Sequence, residues 1–373
     1  MIDPVELTQE LIKKPSITPK DEGAQDVLIN ALEPLGFDVF DVSFGEVRNT
    51  FFRLGNQKPH ICFCGHTDVV PEGNPESWTY PPFKAHIEDN TLYGRGSSDM
   101  KGNIACFISA LSAYLNENTP KGSISLLITG DEEGPAVDGT VKVLKWMKEN
   151  DHIPDFAIVG EPTNPDKLGD EIKIGRRGSL TGLVTLKGTQ GHVAYPHLAK
   201  NPLPVLSKLA HALSSHKFDE GNEFFQATNL ELTTIDTNNK ADNVIPESAF
   251  FRFNVRFNDQ WNASSLEEKI REILSSVDDT YTLQTWSNAE SFLTKPGKHS
   301  EIISDSVYEV TNRKPELTTS GGTSDARFVK NYCPVIECGL INKTIHQIDE
   351  SAEIADIYNL TKIYQKILEK FFK

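Results

Sequence analysis

No apolar run in this sequence approaches the roughly 18 residues that a membrane-spanning helix needs, so a helical membrane span is excluded. Cysteine is scarce and unpatterned. Cys62, Cys64, Cys106, Cys333 and Cys338 are odd in number and sit in apolar runs, where a free thiol behaves as a small hydrophobe; they form no disulfide framework and point to a reducing cytoplasm. Positive charge is also in short supply: 37 Lys and Arg stand against 53 Asp and Glu, a formal net charge of -16. Such a chain repels phosphate backbones and anionic lipid, which makes nucleic acid and membranes poor partners. An acidic small molecule remains open if basic side chains gather at one site. There is no internal repeat and no low-complexity segment. The N-terminus "MIDPVELTQELIKK" has no basic region followed by an apolar stretch, and reads instead as a first helix capped by Asp3 with Pro4 at its first position.

What is present divides into two patterns. A length of 373 residues suits two packed units. In the first half, helical periodicity ("AQDVLINALEPLGF", "NIACFISALSAYLNEN", "TVKVLKWMKEN") alternates with short apolar strands ("TFFRLGN", "HICFCGH", "SISLLITG", "FAIVGEP"), the signature of a mainly parallel sheet with helices on both faces. From about residue 177 longer alternating strands take over ("SLTGLVTLKGT", "TNLELTTIDTN", "SAFFRFNVRFN", "YTLQTW"), with helices at "NPLPVLSKLAHALSSHK" and "SSLEEKIREILSSV". Four strands and two helices predict a small antiparallel α+β layer. The α/β rhythm returns after about residue 290 with "SEIISDSVYEVTNR", "PVIECGL" and "EIADIYNLTKIYQKILEKFF". The expected organisation is therefore an α/β domain over 1–176 and 290–373, interrupted by a smaller α+β domain over 177–289.

The strand ends of the α/β part carry the polar chemistry. "GHTD" follows one strand, "TGDEEG" (129–134) another and "GEPT" (160–163) a third, while "GRGSSDMKG" (94–102) precedes a helix. Open α/β sheets bind ligands at the carboxyl ends of their strands, so His66, Asp68, Asp99, Asp131, Glu132, Glu133 and Glu161 are expected to converge. Clustered carboxylates in a cleft push one another's pKa up unless a cation joins them. Imidazole with several carboxylates suits zinc and similar divalent ions, and no cysteine pair has ligand spacing. The i, i+2 spacing lets Asp68 accept a hydrogen bond from the His66 ring and fix its tautomer. Cys62 and Cys64 share one strand face and read as core packing.

"GHTDVVPEG", "LYGRGSSDMKG", "TGDEEG", "GEPT" and the late His346 in "NKTIHQIDE" resemble, in this order and over essentially the whole chain, the M20 family of co-catalytic zinc aminoacylases and carboxypeptidases. The resemblance implies an amide hydrolase with two divalent ions, Zn(II) or alternatively Co(II). Asp99 would bridge them, with His66 and Glu161 on one ion and Glu133 and His346 on the other. It further implies Glu132 as general acid/base, Asp68 in catalytic support, a cis peptide after Asp99, and a dimer made by the middle unit in which His192 reaches the partner's site. Three carboxylates and two neutral imidazoles around two divalent ions leave a single positive charge, so the arrangement is electrostatically reasonable.

Within the family, "IGRRGSLTG" (174–182), "GHVAYPHLAKNP" (191–202) and "SGGTSDARF" (320–328) resemble the members that remove succinate from N-succinyl-LL-2,6-diaminopimelate, on the lysine biosynthetic route. That substrate carries three carboxylates. Arg176 and Arg256 are the expected grips, since guanidinium binds carboxylate bidentately. Tyr195 is expected to support substrate, and Gly322, Thr323 and Ser324 to supply backbone N–H groups and hydroxyls for a further carboxylate. Acetylornithine deacetylation or dipeptide hydrolysis on the same metals, and a non-catalytic dimeric binding protein on the same fold, are the alternatives.

Overall fold

A computed structural model describes residues 1–373 along the backbone and every side chain except that of Asn288. It divides into two compact units: Met1–Ile174 with Thr294–Thr318 and Ser324–Lys373, and Gly175–Leu293 with Thr319–Thr323. The short return of Thr319–Thr323 to the second unit lies well beyond residue 290 and has no counterpart in the strand pattern.

The first unit opens with helices α1 (Pro4–Ile12) and α2 (Ala24–Leu32), followed by strands β1 (Asp38–Asp41), β2 (Thr50–Leu54) and β3 (His60–His66). Asp3 caps α1, its carboxylate accepting the N–H groups of Val5 and Glu6 at 2.9 and 3.0 Å, with Pro4 supplying a fixed first φ where no N–H is needed. Helix α3 (Lys101–Glu117), strand β4 (Ser123–Thr129), helix α4 (Thr140–Glu149) and strands β5 (Phe156–Val159) and β6 (Glu171–Lys173) complete this stretch. The second unit contributes β7 (Gly178–Lys187), α5 (Leu203–Ser214), β8 (Asn229–Asp236), β9 (Ser248–Phe257), α6 (Ala263–Ser275) and β10 (Tyr281–Ala289). The chain then returns through α7 (Lys298–Thr311), β11 (Glu316–Thr318), β12 (Val335–Glu337) and α8 (Ile354–Phe371).

The first unit is built on an eight-stranded sheet in the order β1-β2-β4-β3-β5-β12-β6-β11. Its centre is parallel: β3 pairs with β4 and β5, and β5 with β12. β1, β2 and β4 are linked antiparallel, so the sheet is mainly parallel with an antiparallel edge. All seven residues of β3 are buried, which explains why the strand reads as a continuous apolar run instead of an alternation. Phe63 stacks on Phe107 of α3 at 4.3 Å between ring centroids and meets Tyr364 of α8 edge-on. Phe51 of β2 packs against Trp146 of α4.

In the second unit four antiparallel strands run in the order β8-β9-β7-β10. Strand β9 alternates, with Ala249, Phe251, Phe253, Val255 and Phe257 buried and the residues between them more exposed. That face packs with Leu206, Leu209 and Leu213 of α5 and Leu266, Ile270 and Leu274 of α6 into one apolar cluster. Among the described residues no helix is long and apolar enough to cross a membrane.

Candidate metal centre

Three neighbouring parallel strands end at one place. β3 delivers His66, β4 runs through Thr129 into the loop bearing Glu132 and Glu133, and β5 leads through Gly160 to Glu161. Gly160 is required by a close approach: a Cβ there would lie 2.3 Å from the Phe63 ring. Asp99 stands just before α3, joined to Met100 by a cis peptide as the resemblance implies, and His346 stands in the loop between β12 and α8 at φ +60°.

Asp99 lies between two imidazoles. Its Oδ1 is 3.4 Å from His66 Nε2, and its Oδ2 is 3.2 Å from His346 Nε2. Around His66 Nε2 stand Glu161 Oε1 at 3.7 Å and Glu132 Oε2 at 3.9 Å; His346 Nε2 meets Glu133 Oε1 at 2.9 Å. Potential ligand atoms of His66, Asp99 and Glu133, and of His66, Glu132 and Glu161, each cluster within 4.8 Å of one another. Glu132 thus stands as close to His66 and Glu161 as a ligand would, although the resemblance leaves it free for proton transfer.

His66 Nε2 and Asp99 Oδ1 are buried and, among the described residues, have no hydrogen-bond partner. Leaving two such atoms unsatisfied is costly, and they are the nitrogen and oxygen donors a divalent cation prefers. His66 Nδ1 is 2.9 Å from the Asp68 main-chain oxygen. A carbonyl can only accept, so Nδ1 carries the proton and Nε2 presents its lone pair inward. The residues fit a metal pair.

Charge in the cluster is strongly displaced. Burial disfavours the His66 cation, but the neighbouring Asp99 carboxylate and the charges of Glu161, Glu132 and Asp68 outweigh it and raise its pKa well above the usual value. Burial alone would raise Asp99, yet the imidazoles of His346 and His66 on either side hold it well below the ordinary carboxylate range. His346 is raised to about 10 by its hydrogen bonds to Asp99 and Glu133. Glu132 is pushed well up, first by burial and then by the charge of Glu161. Divalent cations bound here would supply the positive charge that this cluster of carboxylates calls for.

Two expected roles need correction. Asp68 fixes the His66 ring through its main-chain oxygen and not its carboxylate, which lies farther off at 3.6 Å. The carboxylate instead accepts the N–H groups of Glu132 at 3.3 Å and Glu133 at 3.1 Å, because the fully buried side chain of Asp68 lies under the turn after β4. Asp131 does not converge with the others. Its carboxylate turns back to accept the N–H groups of Ala136, Val137 and Asp138, closing the acidic loop.

The residues expected to meet substrate fall mostly in the second unit. Arg176 is nearly buried, and its Nη1 donates to the main-chain oxygens of Ser320 at 3.3 Å and Gly322 at 3.1 Å. Arg256 is half-buried on β9, opposite Ser179 of β7 and Asn229 of β8. His192 is exposed, its Nδ1 accepting the Ala194 N–H at 3.0 Å, with the Tyr195 ring 5.7 Å away. Thr323 is half-buried in the returning segment. Ser324 belongs to the first unit, where its hydroxyl donates to Glu337 at 2.5 Å and is already engaged. Arg95 and Glu350 are buried next to this cluster, Glu350 accepting the Asp99 main-chain N–H at 3.0 Å, and no sequence pattern marks either of them as part of the site.

The sequence pattern described as Peptidase family M20/M25/M40 matches residues 62–370. A succinyl-diaminopimelate desuccinylase of Rhodospirillum centenum is 51% identical over 376 residues, covering 99% of this chain and 97% of that protein. One of the same name from Ehrlichia canis is 49% identical over 376 residues, covering 100% of this chain and 99% of its own. Among solved structures, the M20 family metallo-carboxypeptidase Sso-CP2 of Sulfolobus solfataricus superposes with a TM-score of 0.80 at 19% identity, covering 100% of this chain and 99% of that one.

Proposed function

This chain belongs to peptidase family M20/M25/M40, a family of hydrolases, and from that premise we propose that it hydrolyses N-succinyl-LL-2,6-diaminopimelate to succinate and LL-2,6-diaminopimelate in lysine biosynthesis. The observation that carries the reading is Asp99, whose two oxygens face two different histidines. His66, Asp99 and Glu161 would hold one divalent ion, and Asp99, Glu133 and His346 the other; Zn(II) suits this donor set, with Co(II) as the substitute. When bound, such ions polarise the amide carbonyl and make water more acidic.

The side chains do the rest. Glu132 accepts the proton of the attacking water on its carboxylate and returns it to the leaving amine nitrogen as the C–N bond breaks. Burial and the charge of Glu161 raise the pKa of Glu132, which makes its carboxylate a stronger base toward water. Asp68, holding the N–H groups of Glu132 and Glu133, keeps base and ligand pointed apart. Arg176 and Arg256, with Tyr195, Gly322, Thr323 and the main-chain N–H of Ser324, whose hydroxyl is held by Glu337, are proposed to grip the substrate carboxylates. We further propose a homodimer in which His192 reaches the partner's site, supported by the exposed apolar side chains of Val193, Tyr195, Leu198 and Ile235 in the second unit. Five free, buried cysteines support work in a reducing cytoplasm.

The test is amine release from N-succinyl-LL-2,6-diaminopimelate and from N-acetylornithine, by metal-stripped protein before and after zinc is added. Zinc-restored turnover of the succinyl compound in preference to the acetyl compound is expected. Preference for the acetyl compound would overturn the substrate while leaving the metal reading in place, and no turnover of either with zinc bound would overturn the activity.

A further inference from the structure

Arg95 and Glu350 form an ion pair that is almost completely dry, with Arg95 2% exposed and Glu350 0%. Glu350 Oε2 meets Arg95 Nη1 at 2.8 Å, and its Oε1 accepts the main-chain N–H groups of Ser98 at 3.1 Å and of Asp99 itself at 3.0 Å. The Arg95 guanidinium also donates to the main-chain oxygens of Gln347, one residue after His346, at 3.2 Å and of Pro71 at 3.4 Å. Both residues leave the short antiparallel pairing of Thr91–Tyr93 with Ser351–Glu353, one on each strand's site-facing end. The pair therefore ties the backbone of Asp99 to the loop that carries His346.

A buried ion pair is a weak source of net stability, because desolvation offsets most of the attraction. Positional control is the better account. We propose that Arg95 and Glu350 are positioning residues that set the spacing of Asp99 and His346, and thereby chiefly the affinity of the ion position formed by Asp99, Glu133 and His346, two of whose ligands the clamp spaces, and to a lesser degree that of the position formed by His66, Asp99 and Glu161, where it reaches Asp99 alone. The proposal rests on the two-ion reading above. Glu350→Gln keeps the size but supplies only one accepting oxygen, so either Arg95 or the two N–H groups lose their partner. Arg95→Lys keeps the charge but not the planar fork.

The experiment is titration of zinc into metal-stripped protein against a chromophoric chelator, with the Co(II) absorption spectrum recorded for each equivalent, for wild type, Glu350→Gln, Arg95→Lys and His346→Ala. Wild type is expected to bind two ions, and both clamp variants to weaken the position formed by Asp99, Glu133 and His346 by about 10- to 100-fold and the other by clearly less, with a Co(II) spectrum resembling that of His346→Ala. If Glu350→Gln does not fold, Arg95→Lys carries the comparison. Equal weakening of both ions with a lowered melting temperature marks a merely structural pair and overturns the proposal, as does unchanged affinity. A wild type that binds fewer than two ions overturns the two-ion reading itself, and the proposal with it.

Discussion

Strand β3 carries a histidine at each end, and the two have opposite fates. His60, at the start, is 2% exposed and His66, at the finish, 1%. Burial is the same, yet the pKa of His60 is lowered to about 4, chiefly by that burial, while His66 is raised well above its usual value. The difference lies in what surrounds each ring. His60 Nε2 is satisfied by the Ser125 hydroxyl at 2.7 Å, and the Arg53 charge nearby further disfavours a cation. Among the described residues His66 Nε2 has no hydrogen-bond partner, and it faces carboxylates of Asp99, Glu161 and Glu132. A parallel sheet thus has a closed end, where an imidazole serves as packing, and an open end, where loops from three strands bring charges together.

The largest effect that would sharpen this contrast comes from the open end. Glu132→Gln removes the proposed proton carrier without changing its size, and turnover should fall about 100- to 10,000-fold. Thermal stability should hold or rise, because a buried carboxylate whose ionisation is disfavoured has been neutralised. Steady-state kinetics, a melting curve and zinc stoichiometry on the same preparation check this. Retained turnover would remove Glu132 from the chemistry.

At the closed end the expected effect is on stability alone. The fold holds His60 neutral, with a pKa near 4 against 6.5 for the free side chain, so across that interval the unfolded chain binds the extra proton and the folded chain does not. The stability contributed by neutral His60 is therefore complete above about pH 6.5 and is lost as pH falls toward 4, up to about 3 kcal/mol. Glu and Asp titrations add their own slope, so the comparison needs His60→Gln, which keeps a group able to bond Ser125 but cannot titrate. Denaturant unfolding at pH 7 and pH 4.5 should show a smaller acid loss in the variant, with equal activity per folded molecule at pH 7. Equal losses would mean that the two ends of β3 are not distinguished by protonation.

Nothing in "HICFCGH" separates these two histidines; what does is the neighbouring strand ends, which the sequence reveals only as glycine-flanked acidic motifs. His66, Asp99, Glu133 and Glu161 were legible because the α/β alternation places strand ends together and their residue types demand a cation. His346 was legible only through resemblance, since a lone histidine in a loop has no periodicity to place it. Asp131 was misjudged for a physical reason: in a run of three acids, chain position does not say which carboxylate turns back on its own loop. Arg95 and Glu350 were missed because a buried ion pair between residues 255 apart leaves no local pattern. The long helices and the buried central strands follow their apolar patterns because burial sets those, whereas β1, β6 and β11, three or four residues each, are too short to show a period.

Asp68 provides the smallest and most discriminating test of the open end. Its carboxylate is pushed up to about 6 by burial, and the N–H groups of Glu132 and Glu133 help to hold it ionised. Asp68→Asn leaves the main-chain oxygen that fixes the His66 ring, so that half of the arrangement should survive. The amide, however, presents one oxygen and one NH2 to two N–H donors, and one of these donors is left facing another donor. The turn that carries the proposed base Glu132 and the proposed ligand Glu133 should loosen, lowering kcat by about 10- to 100-fold, with KM little changed. If kcat is unaffected, the two main-chain bonds are incidental. If zinc stoichiometry falls at the His66 position instead, the carboxylate and not the carbonyl orients that ring, and the correction made from the 2.9 Å contact fails.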